Sequence, residues 1–139
     1  MMGSASNTER EGVWVPDAWH SNAPYSPGLR VGEWVFVSGA TPVDFATGLT
    51  VTGGIEEQAD RVLSNIQLIL RQAGSELREV VKTTVYLTDG KLAAGMNDVY
   101  RRYFVTPYPA RATIMVGPLA RPEFLIEVEA IALSAHSQG

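Results

Sequence analysis

The sequence predicts an α+β domain with two helices packed on one face of a β-sheet. Three observations carry that expectation: two stretches with helical apolar periodicity, several runs rich in β-branched residues, and a hairpin pattern ahead of the first helix. The hairpin joins residues 29–31 to the run Trp34-Val35-Phe36-Val37-Ser38 around the turn-like Val31-Gly32-Glu33, and the second run ends at Gly39. Residues 55–73 follow as the clearest helix. Ala59, Val62, Leu63, Ile66, Ile69, Leu70 and Ala73 recur at i, i+3, i+4 spacing, while Asp60, Arg61, Ser64, Asn65 and Gln67 fill the other face. Glu56 and Glu57 complement the positive end of its dipole, and Gly74 suits the position just past its end. A second helix is expected over 91–104, with Leu92, Met96, Val99, Tyr100 and Tyr103 as its stripe and Pro107 and Pro109 beyond it. Residues 80–87, 112–116 and 125–133 read as strands.

The last of these strands has two informative faces. Ile126, Val128, Ala130 and Ala132 share one side by alternation and suit packing against helices. The other side carries Leu125, Glu127, Glu129, Ile131 and Leu133, apolar apart from two carboxylates. Such a face is expected to be buried as well, against other subunits, since one small chain has nothing left to cover it. Carboxylates in that setting need cationic or hydrogen-bonding partners.

Composition narrows the function classes. At 139 residues there is room for one domain, read as 13–134, with 1–12 a flexible polar leader and 135–139 a tail. The net charge of −4 argues against a basic nucleic-acid-binding surface. Without cysteine there is no disulfide framework, thiolate nucleophile or Cys-ligated metal, and the two histidines, His20 and His136, give no support to a metal site or a Ser-His-Asp triad. No membrane span or signal peptide is evident, so a soluble cytoplasmic protein is expected. Gly53-Gly54 lacks dinucleotide-binding spacing, and Trp14, Trp19 and Trp34 read as core or interface residues.

The residues with chemical potential are few. Arg111, in Tyr108-Pro109-Ala110-Arg111-Ala112-Thr113, stands where prolines fix the approach to a strand; it suits either a bidentate grip on a carboxylate or a structural salt bridge. Glu127 and Glu129 read as a general base and a structural ion pair, in either order, or as two structural residues. Tyr25, between Pro24 and Pro27, suits a phenolic donor or a packing aromatic. Ser38-Gly39 offers backbone N–H groups at a strand end or a simple turn, and Asn97 caps a pocket or faces solvent.

In order along the chain, Ala23-Pro24-Tyr25-Ser26, Val35-Phe36-Val37-Ser38-Gly39, residues 44–48, Ala73-Gly74, the run from Val80 to Asp89, Asn97-Asp98-Val99-Tyr100, Tyr103-Phe104, Pro109-Ala110-Arg111-Ala112-Thr113 and the run from Ile126 to Ala132 resemble the Rid (reactive intermediate deaminase) family, also called YjgF. The resemblance spans residues 23–132. It implies a chorismate-mutase-like fold with a mixed sheet, a homotrimer with active sites between subunits, and no cofactor. It further implies that Arg111 binds the carboxylate of a small-molecule substrate, that Glu127 holds and activates water, and that Tyr25, Ser38, Gly39, Asn97 and Thr113 line the pocket. The implied reaction is hydrolysis of 2-aminoacrylate-type imines or enamines to a 2-oxo acid and ammonia. A pathway-specific deaminase of a 2-aminomuconate-like compound and a non-catalytic trimeric carboxylate binder are the alternatives, and ribonuclease activity suits the acidic charge least. Three places depart from the family pattern: Ala40 stands for a glutamine, Ser26-Pro27-Gly28 for Ser-Gln-Ala or a similar run, and Thr113 for a cysteine.

Overall fold

A computed structural model describes residues 9–135 of the chain, so residues 1–8 of the expected leader, 136–139 of the tail, and His136 lie outside it. Six strands form one mixed sheet: β1 (Arg10–Val13), β2 (Gly28–Val31), β3 (Trp34–Ala40), β4 (Val80–Leu87), β5 (Ala110–Met115) and β6 (Ile126–Leu133). Their spatial order is β1-β2-β3-β6-β4-β5. All neighbours run antiparallel except β4 and β5, whose parallel pairing requires a long crossover. Helix α2 (Ala93–Tyr103) supplies that crossover, after a 3₁₀ turn over Gly90–Leu92 in which the Asp89 carboxylate accepts from the Lys91 N–H. The expected second helix therefore begins as a 3₁₀ turn.

Helix α1 (Ile55–Gln72) forms where its periodicity places it. Glu57 Oε1 accepts from the Gly54 N–H at 2.9 Å, satisfying one donor at the helix start. Its far end closes through Gly74, at φ 77°, with Gly74 N–H donating to the Arg71 carbonyl and Ser75 N–H to the Leu70 carbonyl; the crossed pair needs the left-handed conformation that glycine adopts freely. Val62, Leu63, Ile66 and Leu70 are fully buried against Val35, Val85, Val128 and Ala132 of the sheet, with Met96 and Val99 of α2 completing the core. Both helices thus lie on one face, and the helix-facing side of β6 is the alternate set Ile126, Val128, Ala130 and Ala132.

Four expectations change. Arg10–Gly12 belong to β1, paired with Leu29–Val31, so the structured domain starts inside the segment read as leader; Val13 anchors this strand in the core. Asn65 is not on a solvated face but buried, because the chain after β3 folds over that flank of α1 and its carbonyls need donors: Asn65 Nδ2 donates to the Thr41 and Val43 oxygens at 3.1 and 2.9 Å. Of the core-or-interface reading for Trp14, Trp19 and Trp34 the core half falls, since each is more than a third exposed. Strand β5 begins at Ala110, so Arg111 sits within the strand and not in the loop before it, held by parallel pairing with Thr83.

Tyr103 ties the two helices together, donating to Asp60 Oδ1 at 2.6 Å. Burial, the bond to Asp60 and that carboxylate's charge push its pKa up to about 12. An unfolded chain releases this proton near 10, so the unfolded state binds fewer protons than the folded one between pH 10 and about 12, and stability falls as pH rises through that window. Tyr103→Phe should cost about 1 kcal/mol at neutral pH and flatten the alkaline decline; urea titrations at pH 7, 10 and 11.5 check both, and an equal decline in the variant would contradict this assignment.

Candidate functional site

The residues singled out in the sequence gather into two groups, and the geometry of β-strands decides which residue joins which. Thr83 of β4 points to the helices, its Oγ1 2.8 Å from the Tyr100 hydroxyl. Arg111 pairs with Thr83 in parallel register and shares its face. Glu127 pairs with Tyr86, three residues further along β4, and an odd step lands on the opposite face. Two strand spacings sideways and three residues lengthwise put the Arg111 and Glu127 backbones about 14 Å apart, with the side chains directed away from each other.

On the helix side, Arg111 borders a hollow of about 220 Å³ with Asn97, Tyr100, Arg101, Tyr108 and Pro109. Its guanidinium lies over the Tyr100 ring, 4.8 Å from the centroid, and Nη1 approaches Met96 Sδ at 3.9 Å. The ring is itself held by the Thr83 hydroxyl, and burial raises the Tyr100 pKa against the lowering effects of Thr83 and Arg111. Cation–π contact positions the guanidinium without consuming its N–H donors. No carboxylate among the described residues pairs with Arg111. Thr113 follows two residues later on the same strand and face, and is exposed.

On the other side of the sheet, β3 bulges between Val37 and Ala40, two residues there facing the single Glu129 on β6. The bulge carries Ser38 and Gly39. Ser38 N–H donates to the Pro27 carbonyl at 2.9 Å and Ser38 Oγ to the Ser26 carbonyl at 2.6 Å, which clamps the Tyr25 segment to the strand end. Glu127 lies against Gly39: a Cβ there would run into the carboxylate, 2.8 Å from its Cδ. Glu127 is half-buried, and neither a hydrogen bond nor an ion pair reaches its carboxylate from the described residues. Burial first, and then the charge of Glu129, raise its pKa. Glu129 is more exposed and points the same way. Tyr86, between the two, has its own pKa raised by burial and by both carboxylates. The environments therefore distinguish two glutamates that strand alternation left equivalent. Tyr25 stands half-exposed with Ser38 and Gly39 at the mouth of a narrow crevice walled by Trp14, Trp19 and Phe45.

One functional feature escaped the sequence reading. Tyr100 was legible as a helix-stripe residue but not as the platform under Arg111; its place three residues after Asn97, on the same side of α2, was the available signal. Arg121 braces the loop between β5 and β6, donating to the Gly48 carbonyl at 3.0 Å and lying over the Trp19 ring.

A small α+β domain that presents an unpaired guanidinium on one side of its sheet and an unpaired carboxylate of raised pKa on the other has the makings of a binding or catalytic module for small charged molecules. A family model described as endoribonuclease L-PSP matches residues 16–134. A RutC family protein of Pyrococcus abyssi is 45% identical over 123 residues, covering 88% of this chain and 96% of the relative. The goat 2-iminobutanoate/2-iminopropanoate deaminase is 41% identical over 110 residues, covering 79% and 80%. Among solved structures, RidA from an Antarctic Psychrobacter superposes with a TM-score of 0.83 at 33% identity, covering 88% and 98%. Escherichia coli TdcF with bound serine gives 0.82 at 32%, with the same coverage. The chain belongs to the Rid family, and its fold is the chorismate-mutase-like fold of those neighbours.

Removing the second cause of the Glu127 shift should be directly visible. In Glu129→Gln the carboxyl of Glu127 should titrate at lower pH than in the wild type, while burial keeps it above an ordinary glutamate. Carbon-detected NMR titration of the Glu127 side chain checks this; an unchanged midpoint would show that Glu129 is electrostatically remote.

Proposed function

We propose that this protein is a hydrolytic deaminase of imine or enamine intermediates of 2-oxo acids, with each active site assembled from two copies of the chain. The observation that carries this reading is the pair of half-sites: Arg111 with Asn97 and Thr113 on one face, and Glu127 with Gly39, Ser38 and Tyr25 on the other, each ion lacking a counter-charge among the described residues. A carboxylate half-buried without a cation, as Glu127 is among the described residues, carries a desolvation cost. Packing of like chains brings the two groups together if the helix-side edge of one copy meets the outer sheet face of the next, in a heterologous contact that closes as a ring. Trp34 and Phe36, exposed on that outer face, supply apolar area for such a contact. The goat relative's name is that of an enzyme acting on 2-imino acids, which agrees with the chemistry of the two groups.

In this reading Arg111 grips the substrate carboxylate through two parallel hydrogen bonds and fixes the C=N carbon near Glu127 of the adjacent copy. Glu127, a carboxylate of raised pKa, takes a proton from water as the oxygen adds to C2. The same carboxyl then returns the proton to the nitrogen of the tetrahedral adduct. As the C–N bond breaks, the adduct's hydroxyl proton passes by way of Glu127 to the departing nitrogen, so ammonia leaves and the C2–O bond becomes the carbonyl of the 2-oxo acid. Water supplies the oxygen and both hydrogens, so the balance closes without an oxidant or reductant.

The test is competition for imines generated by an amino-acid oxidase and trapped with semicarbazide. Wild type should suppress semicarbazone formation; Arg111→Ala should lose about 100-fold or more in kcat/KM, from two charge-assisted bonds, and Glu127→Gln about 100- to 10,000-fold. Co-refolding equal amounts of the two variants should restore about a quarter of wild-type activity if the halves come from neighbouring copies of a ring. No recovery on mixing would contradict the shared site, and no suppression by wild type with any imine would contradict deamination.

A further inference from the structure

The crevice behind Ser38-Gly39 is not used by the chemistry above, and it contains an unanswered hydrogen-bond acceptor. It lies between the segment around Trp14 and Trp19, the end of β3, and α1, and encloses about 60 Å³. That is room for roughly four to six water-sized groups. Its walls are largely aromatic and aliphatic, but Asn65 also lines it. Asn65 is 1% exposed, and the Thr41 and Val43 carbonyls, just past the end of β3, hold its Nδ2. Those two bonds fix which way the amide faces, because a carbonyl cannot accept from Oδ1. Oδ1 is left buried with no partner among the described residues. A buried acceptor without a donor is uncommon and asks for an explanation.

Gly39 joins this crevice to the reaction centre. It lines the crevice, and the place its Cβ would take is occupied by the Glu127 carboxylate. Tyr25 and Ser38 line the same crevice. Three residues that the deaminase reading places around the substrate, Tyr25, Ser38 and Gly39, are thus also walls of this crevice.

We propose that the crevice is the side-chain pocket of the site, and that it selects a short, mostly apolar side chain ending in an N–H or O–H donor, which Asn65 Oδ1 accepts. This rests on the deaminase reading for the identity of the rest of the substrate, an α-imino acid. A side chain of four or five non-hydrogen atoms fits the volume, and a terminal amide of the glutamine type meets both the size and the donor requirement. A purely apolar side chain of equal length would leave Oδ1 unanswered and displace whatever water serves it, a discrimination that polar sites make well.

Binding of stable amino acids tests the pocket separately from catalysis. Calorimetric titration of the full-length protein with L-glutamine and with L-methionine, of similar length but without a donor, should give about fivefold tighter binding for L-glutamine, the worth of one added hydrogen bond. Ala18→Leu, which fills the crevice from a half-buried loop position, should weaken L-glutamine at least several-fold and bring the two ligands together. Equal affinities in the wild type, absence of L-glutamine binding, or an Ala18→Leu protein of native circular dichroism that still prefers L-glutamine would each overturn the proposal. The wild-type comparison stands even if the variant does not fold. Imine hydrolysis without a glutamine preference would overturn the pocket alone; a glutamine preference without hydrolysis of any imine would leave the pocket and remove the deaminase reading.

Discussion

The alternation of side chains along a β-strand governs this molecule more than any single bond. Thr83 and Tyr86 are an odd number of residues apart on β4, so the residues they pair with, Arg111 and Glu127, must emerge on opposite faces. No rotamer change brings a guanidinium through a close-packed sheet to a carboxylate behind it. Once the register of β4 with β5 and β6 is set, the two ionic groups are kept apart within one chain, and each is free to serve something outside it.

That separation explains features that would otherwise look like defects. Glu127 is half-buried beside a second carboxylate with no cation, and its pKa rises accordingly. Gly39 adds backbone freedom in a strand, where glycine ordinarily weakens pairing, yet its missing Cβ is what lets the Glu127 carboxylate lie against β3. Arg111 meets a tyrosine ring and a thioether instead of an anion. Each departs from the arrangement that would best stabilise an isolated chain, and each leaves a reactive group available.

The remainder of the fold is conventional by comparison and holds these departures in place. The core formed by α1, α2 and the inner sheet face is largely aliphatic, and two buried amides at its border are tied to backbone. Gln58 donates to the Glu123 carbonyl and accepts from the Leu125 N–H, fixing the entry to β6 two residues before Glu127. Asn65 does the same for the end of β3 with its Nδ2, but keeps one acceptor unspent. Rigid support of this kind lets a carboxylate and a bulge keep their relative positions to a fraction of an ångström.

Much of this was legible in the residues themselves. The helix periodicity of 55–73, the β-branched runs and the turn glycine at 74 depend on neighbours a few residues away, and local physics sets them. The alternation in β6 likewise showed which of its faces would meet the helices, and family resemblance singled out Arg111 and Glu127. Strand β1 was not legible, because Arg10-Glu11-Gly12 has no strand pattern of its own and is extended only by pairing with β2. Nor could spacing along the chain tell Glu127 from Glu129, put Asn65 inside, or place Tyr100 beneath Arg111, since each follows from which distant segment packs against it. Local sequence determined the elements and the chemical groups; the tertiary structure alone decided the side of the sheet on which each group stands, because register is a relation between strands and not a property of any one of them.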